Sequence, residues 1–162
     1  MTELLPLLQD FYREKLAMLL RHQSGARLVS QYDVNNTYQY IINREDTQLS
    51  WIATAIVELG GTPVDSVEPA GITAAAKGAD ASRPLFEGDA RDSQEFVDRW
   101  TPRVQAMPNA RHAKMLKLIL GEVLEQKRFF EQALAGRTDL LGRRGEQLGP
   151  AHGEVLASRW IE

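Results

Sequence analysis

The chain contains no cysteine. Disulfides, thiolate catalysis and cysteine-based zinc sites are therefore excluded. It also lacks a long apolar run, and the leucines near its start are flanked by Glu3 and Asp10 rather than by a basic segment. The expectation is neither a signal peptide nor a membrane span but a soluble, cytoplasmic protein. Concentrated positive charge is missing too: the net charge is −3, and the densest basic group, Arg137, Arg143 and Arg144, reads as a solvated helix end. No nucleic-acid partner is indicated. The Gly-x-Gly-x-x-Gly fingerprint, the P-loop and the Gly-x-Ser-x-Gly elbow do not occur, and no heptad run is long enough for a separate coiled coil.

What is present is helical periodicity in 162 residues, enough for one domain with a substantial core. The first helix is expected from about Thr2 to Gln23 or slightly beyond, weakened at Ser24-Gly25. The second starts near Ser30 or Asp33 and stops at Gly60-Gly61. From about 60 to 90 the period disappears into Gly, Pro, Asp, Ala and Ser, with a helical turn or two allowed over Gly71–Lys77. This stretch reads as a linker carrying the chain along the length of a bundle. A third helix is expected from Asp92, kinked or interrupted by Pro102, and a fourth from Pro108 to a stop at Gly136. Apolar residues wrap most of the fourth, which should be the most buried. The fold class expected is all-α: a four-helix bundle over 1–136, with a tail over 137–162 that packs on the bundle or on a partner subunit.

One residue breaks the pattern. Val34, Tyr38, Ile41, Glu45, Leu49, Ile52, Ile56 and Leu59 follow each other in steps of three and four, which places all of them on one helix face. A carboxylate in that position must be paired, protonated or metal-bound, because burying it bare is too costly. Depth can be counted along antiparallel hairpins. Reflecting Glu45 through a turn near 29–30 lands on Glu14, and reflecting Glu122 through a turn at Pro108-Asn109 lands on Glu95. Four helices would thus bring Glu14, Glu45, Glu95 and Glu122 toward one layer. His22 and His112 lie roughly 10 and 15 Å from that layer at 1.5 Å per residue. They are read, with His152 in the tail, as surface or capping residues.

This arrangement resembles the ferritin-like, rubrerythrin-type superfamily of di-iron carboxylate proteins. Their bundles take one Glu from each of two helices and a Glu-x-x-His motif from each of the other two. The resemblance covers about residues 1–136 and includes the run Trp51 to Gly61. It implies that Glu14 and Glu95 match the two lone ligands, and that Glu45 and Glu122 open the two motifs. The histidine positions hold Gln48 and Glu125 instead, with Gln126 beside the latter.

Three readings follow. An oxygen-rich centre of Glu14, Glu45, Glu95, Glu122 and Glu125 suits hard divalent ions, and with iron or manganese it would serve as a di-metal oxidoreductase. Alternatively Glu45 pairs with Lys15, Arg99 or Arg103, and Gln48 and Gln126 complete a hydrogen-bonded network. The protein is then a metal-free or weakly metal-binding ferritin-like bundle acting as a scaffold or interaction protein, self-associating as a homodimer through the fourth helix or the Trp160 tail. The third reading is a small-molecule pocket lined by Trp51, Trp100, Tyr38, Tyr40, Phe129 and Phe130. The metal-free scaffold is the principal expectation.

Overall fold

The computed structural model describes residues 3–69 and 82–141. They form four helices: α1 (Leu4–Ala26), α2 (Tyr32–Glu58), α3 (Ser82–Gln105) and α4 (Ala110–Leu134), with no strand among the described residues. The all-α four-helix bundle expected from the periodicity is what forms. Residues 142–162, with His152 and Trp160, and the turn foreseen over Gly71–Lys77 lie outside the described residues. Leu140 is buried against the end of the bundle, so the chain after α4 packs back onto it at least that far.

Each helix buries a stripe at three- and four-residue spacing. In α1 the stripe includes Leu8, Phe11, Lys15, Leu19, His22 and Ala26; in α3 it includes Phe86, Asp89, Ser93, Phe96, Trp100 and Val104. The α1–α2 and α3–α4 hairpins pack internally. Pairs between them fix the rest of the arrangement. Phe11 meets Trp100, Glu14 meets Arg99 and Arg21 meets Asp89, so α1 and α3 run antiparallel. Tyr40 meets Phe129, Arg44 meets Glu122 and Glu58 meets Arg111, so α2 and α4 do as well. The end of α2 and the start of α3 are therefore at opposite ends of the bundle. The two points are about 36 Å apart along the axis for a helix of this size.

Local chemistry sets the boundaries. Gln31 caps α2, its Oε1 accepting from the Val34 amide at 2.7 Å; neither Ser30 nor Asp33 is the cap. Gly60 closes α2 at φ +86°, with the Gly61 amide reaching back to the Ile56 carbonyl and the Gly60 amide to Val57. This is the Schellman pattern that favours glycine. Gly136 ends α4 in the same way. The fourth helix starts at Ala110 rather than Pro108, capped by Asn109, whose side chain accepts from the His112 amide at 3.0 Å. The expected start of α3 needs correction, and of the two effects allowed for Pro102, interruption does not occur. The helix starts at Ser82, ten residues before Asp92, because Leu85, Phe86 and Asp89 already follow the buried stripe. It also runs through Pro102 to Gln105 without interruption. The proline removes one amide donor near the helix end, where few later turns depend on it.

The fourth helix is not buried all round. Leu118 is 54% exposed and Leu124 42% exposed, and Gly121 between them is exposed as well.

The core divides in two. One apolar cluster includes Leu8, Phe11, Ile52, Ile56, Phe96, Trp100, Leu116 and Ile119. The other includes Leu19, Ile41, Leu85, Phe86, Phe129 and Phe130. Between them the stripes of all four helices carry polar side chains: Lys15 and His22, Glu45 and Gln48, Asp89 and Ser93, and Gln126.

Candidate functional site

Glu45 is fully buried and contacts both Lys15 and His22. Lys15 Nζ donates to its Oε2 at 2.7 Å, and Lys15 is itself fully buried. His22 Nδ1 lies 2.6 Å from its Oε1. The other ring nitrogen of His22 faces Asp89, with Nε2 3.8 Å from Oδ1. Asp89, also fully buried, accepts from Arg21 Nε at 2.7 Å and from the Tyr38 hydroxyl. Arg21 Nε is shared with Asp92 at 3.3 Å. A Cβ on Gly88 would sit 2.4 Å from an Arg21 nitrogen, so only glycine at that position lets the guanidinium reach Asp89 without displacement. The network spans α1, α2 and α3. With His22 protonated, Lys15, Arg21 and His22 balance Glu45, Asp89 and Asp92.

Charge neighbours outweigh burial at the centre. Burial pulls the His22 imidazole down, but the Glu45 carboxylate, through its charge and its hydrogen bond, and the charge of Asp89 carry it above its ordinary value. Burial pushes Glu45 up, but the charges of His22 and Lys15 and the hydrogen bonds they donate bring it below the ordinary carboxylate value. Tyr38 is pushed well up, by burial first and then by Asp89, so its hydroxyl stays protonated and donates.

None of the other expected site residues bonds to Glu45, and among them only Gln48 and Glu122 have a hydrogen bond to each other. Glu14 lies at the α1–α3 edge, where it takes Arg99 Nε and Nη2 at 3.0 and 2.5 Å and the Trp100 indole N–H at 2.9 Å. Glu122 takes a two-pronged contact from Arg44 at 2.8 and 2.9 Å, and Gln48 Nε2 donates to it at 3.1 Å. Glu95 and Glu125 are exposed, the latter 3.9 Å from Arg128. Gln48 and Gln126 are buried as expected, but their Oε1 atoms have no hydrogen-bond partner. The convergence of Glu14, Glu45, Glu95 and Glu122 on one layer is thus not what forms: two are edge or inter-helix ion pairs and one faces water. Among the described residues no group of three or more His, Asp or Glu side chains is arranged to hold a metal ion.

Of the three cations considered for Glu45, Lys15 is the partner. Arg99 serves Glu14, and Arg103 lies over the Trp100 ring at 4.1 Å and near Asp10. His22 is the principal correction, being buried in the centre rather than on the surface. Helical side chains lean toward the helix N-terminus, so His22 projects back toward the level of Lys15. His112 is also buried, at the start of α4, with no hydrogen-bond partner for its Nδ1. Sequence reasoning missed Arg21, Asp89 and Ser93. The available signal was that Asp89 lies three residues after Phe86 and seven before Phe96, on the α3 stripe. Placing the helix start at Asp92 removed it from consideration.

Neither of the two grooves seen among the described residues is lined by the six aromatics. Trp100, Tyr38 and Phe130 are almost wholly enclosed by packing. A groove of about 650 Å³ at the bundle end is lined by Leu4, Leu7, Asp10, Arg103 and Met107, among others, and by none of the six aromatics. No helix among the described residues is long and apolar enough to cross a membrane. Comparison with protein-family models, with curated proteins and with solved structures gave no match.

Proposed function

We propose that the chain is a ferritin-like bundle that has replaced the metal of such a centre with its own cations, and that it works as a scaffold or interaction protein in the cytoplasm. The observation that carries this reading is the Lys15–Glu45 pair: an ammonium 2.7 Å from a carboxylate, both fully buried. It supplies internally the positive charge that a ligand-bound cation would supply. A divalent ion placed about 4 Å from that ammonium would meet a repulsion of roughly 8 kcal/mol at an effective dielectric of 20. The His22 nitrogen nearest the carboxylate is likewise engaged in the pair. Gln48 and Gln126 offer only amide groups where imidazoles would suit iron or manganese.

The alternative, an iron or manganese oxidoreductase, requires Lys15 and His22 to leave Glu45. The two are separated by metal analysis of protein purified without chelator and by melting curves with iron(II) and manganese(II). The expected result is substoichiometric metal and an unchanged Tm. A metal-dependent rise in Tm that Glu45→Gln abolishes would overturn the proposal. Cell fractionation tests the cytoplasmic assignment.

A further inference from the structure

We propose that one ordered water molecule is held between α2 and α4, donating one O–H to Gln48 Oε1 and the other to Gln126 Oε1. The inference rests on the metal-free reading above and deepens it, because it names what stands between the two glutamines.

Gln48 is 0% exposed and Gln126 3% exposed, and the Oε1 atom of each has no hydrogen-bond partner. A buried acceptor left unpaired is costly. Turning the Gln48 amide over does not relieve it. Its Nε2 donates to Glu122 Oε1 at 3.1 Å, and an oxygen in that place would face a carboxylate.

The helix geometry brings the two amides toward each other. The antiparallel pairs Tyr40–Phe129 and Glu58–Arg111 set Gln48 about level with position 121 of α4. Gln126 stands roughly 8 Å further along the axis at 1.5 Å per residue. Helical side chains lean toward the N-terminus of their own helix. In an antiparallel pair those leans oppose, so Gln48 leans toward the level of Gln126, and Gln126 leans back toward the level of Gln48. Glu122 lies one turn before Gln126 on the same face and already holds the Gln48 amide.

Both free atoms are acceptors, so the partner is a donor. Charge balance makes it a neutral one. Lys15, Arg21 and protonated His22 match Glu45, Asp89 and Asp92, and Arg44 matches Glu122. A cation between the amides would add a buried charge with no counter-ion. The nearby side-chain cations are also engaged, Lys15 with Glu45 and Arg44 with Glu122 through two nitrogens. Water is neutral and carries two donors, and a buried water typically takes about two to four polar partners.

Oxygen-17 magnetic relaxation dispersion on the full chain tests this, since it counts internal waters in solution. The wild type should show long-lived water. In Gln126→Leu the dispersion should fall by the share of one molecule. Gln48→Met should lose the same molecule while Glu122 keeps its two contacts from Arg44. Each variant is measured where its helicity by circular dichroism matches the wild type, so unfolding does not mimic the loss. No long-lived water in the wild type, or the same dispersion in both variants, overturns the proposal. So does a crystal structure in which Gln126 Nε2 donates directly to Gln48 Oε1. A Tm that rises when sodium or potassium replaces tetramethylammonium, and no longer does so in Gln126→Leu, would put a monovalent cation in the place of the water and overturn it as well. The reading without iron or manganese falls only on its own melting curves, so the two failures are distinguishable.

Discussion

Replacing Glu45 by glutamine tests the centre of the molecule most directly. The change keeps the volume and removes the charge. Lys15 would then be an ammonium with no exposed surface and no counter-ion, left with an amide group at position 45 and the Phe96 ring 5.9 Å away. His22 would keep only Asp89 at 3.8 Å. Breaking a buried pair from one side costs about 3–5 kcal/mol. At about 2–4 °C per kcal/mol for a chain of this size, Tm should fall by roughly 6–20 °C. Urea titration at neutral pH gives the free energy directly. The decisive comparison is the double variant Lys15→Met/Glu45→Leu, which removes both charges. Apolar replacement of a buried pair is often neutral or stabilising, so the double variant should recover most of the loss. If Glu45→Gln costs less than about 1 kcal/mol, or if the double variant is as unstable as the single one, the account of a buried pair is wrong.

Stability should depend on pH in two directions. The His22 pKa is raised in the folded state, so its contribution is fully present below about 6.5 and is lost as pH rises through the higher folded value. The Glu45 pKa is lowered, so its contribution is present above about 4.5 and is lost as pH falls through the lower folded value. Urea midpoints measured from pH 3 to 9 should therefore peak between those limits, and His22→Gln should flatten the alkaline decline; an alkaline limb unchanged in that variant removes His22 as its cause. Asn109→Ala removes the α4 cap and should cost about 1 kcal/mol by urea titration, with a cost near zero showing that the cap contributes nothing.

The helices were legible because apolar spacing is redundant: losing one residue from the Val34–Leu59 stripe would not have hidden α2. Glu45 stood out for the same reason, as one charge against a regular background. The start of α3 was hidden because Gly88, Asp89, Ala90 and Asp92 have the composition of the linker before them, and the stripe there depends on only Leu85 and Phe86. Carboxylate depth counted along the chain was less informative than the face each residue takes. Glu14 is at the right height but one position short of the α1 stripe, where Lys15 sits, so it turns to Arg99 at the helix edge. Counting in steps of one residue also ignored side-chain reach. His22 and Lys15 are seven residues apart, about 10 Å along α1, yet both contact the same carboxylate.

That last contact bears on why such a layer exists at all, since an apolar replacement could be equally stable. The clusters above and below it are built largely of Leu, Ile and Phe, which tolerate sliding past similar neighbours. A slip of one hairpin against the other by a turn is about 5.4 Å. It would part Arg21 and His22 from Asp89, and it would move Trp100 away from Glu14, leaving buried polar groups on both sides without partners. The apolar stripes do not penalise that slip; the polar layer does. Stability and register are then separable. Lys15→Met/Glu45→Leu together with Asp89→Leu and Arg21→Met should unfold at a similar urea concentration but give broadened or multiple amide resonances in a heteronuclear NMR spectrum. A single sharp set matching the wild type would show that packing alone fixes the register.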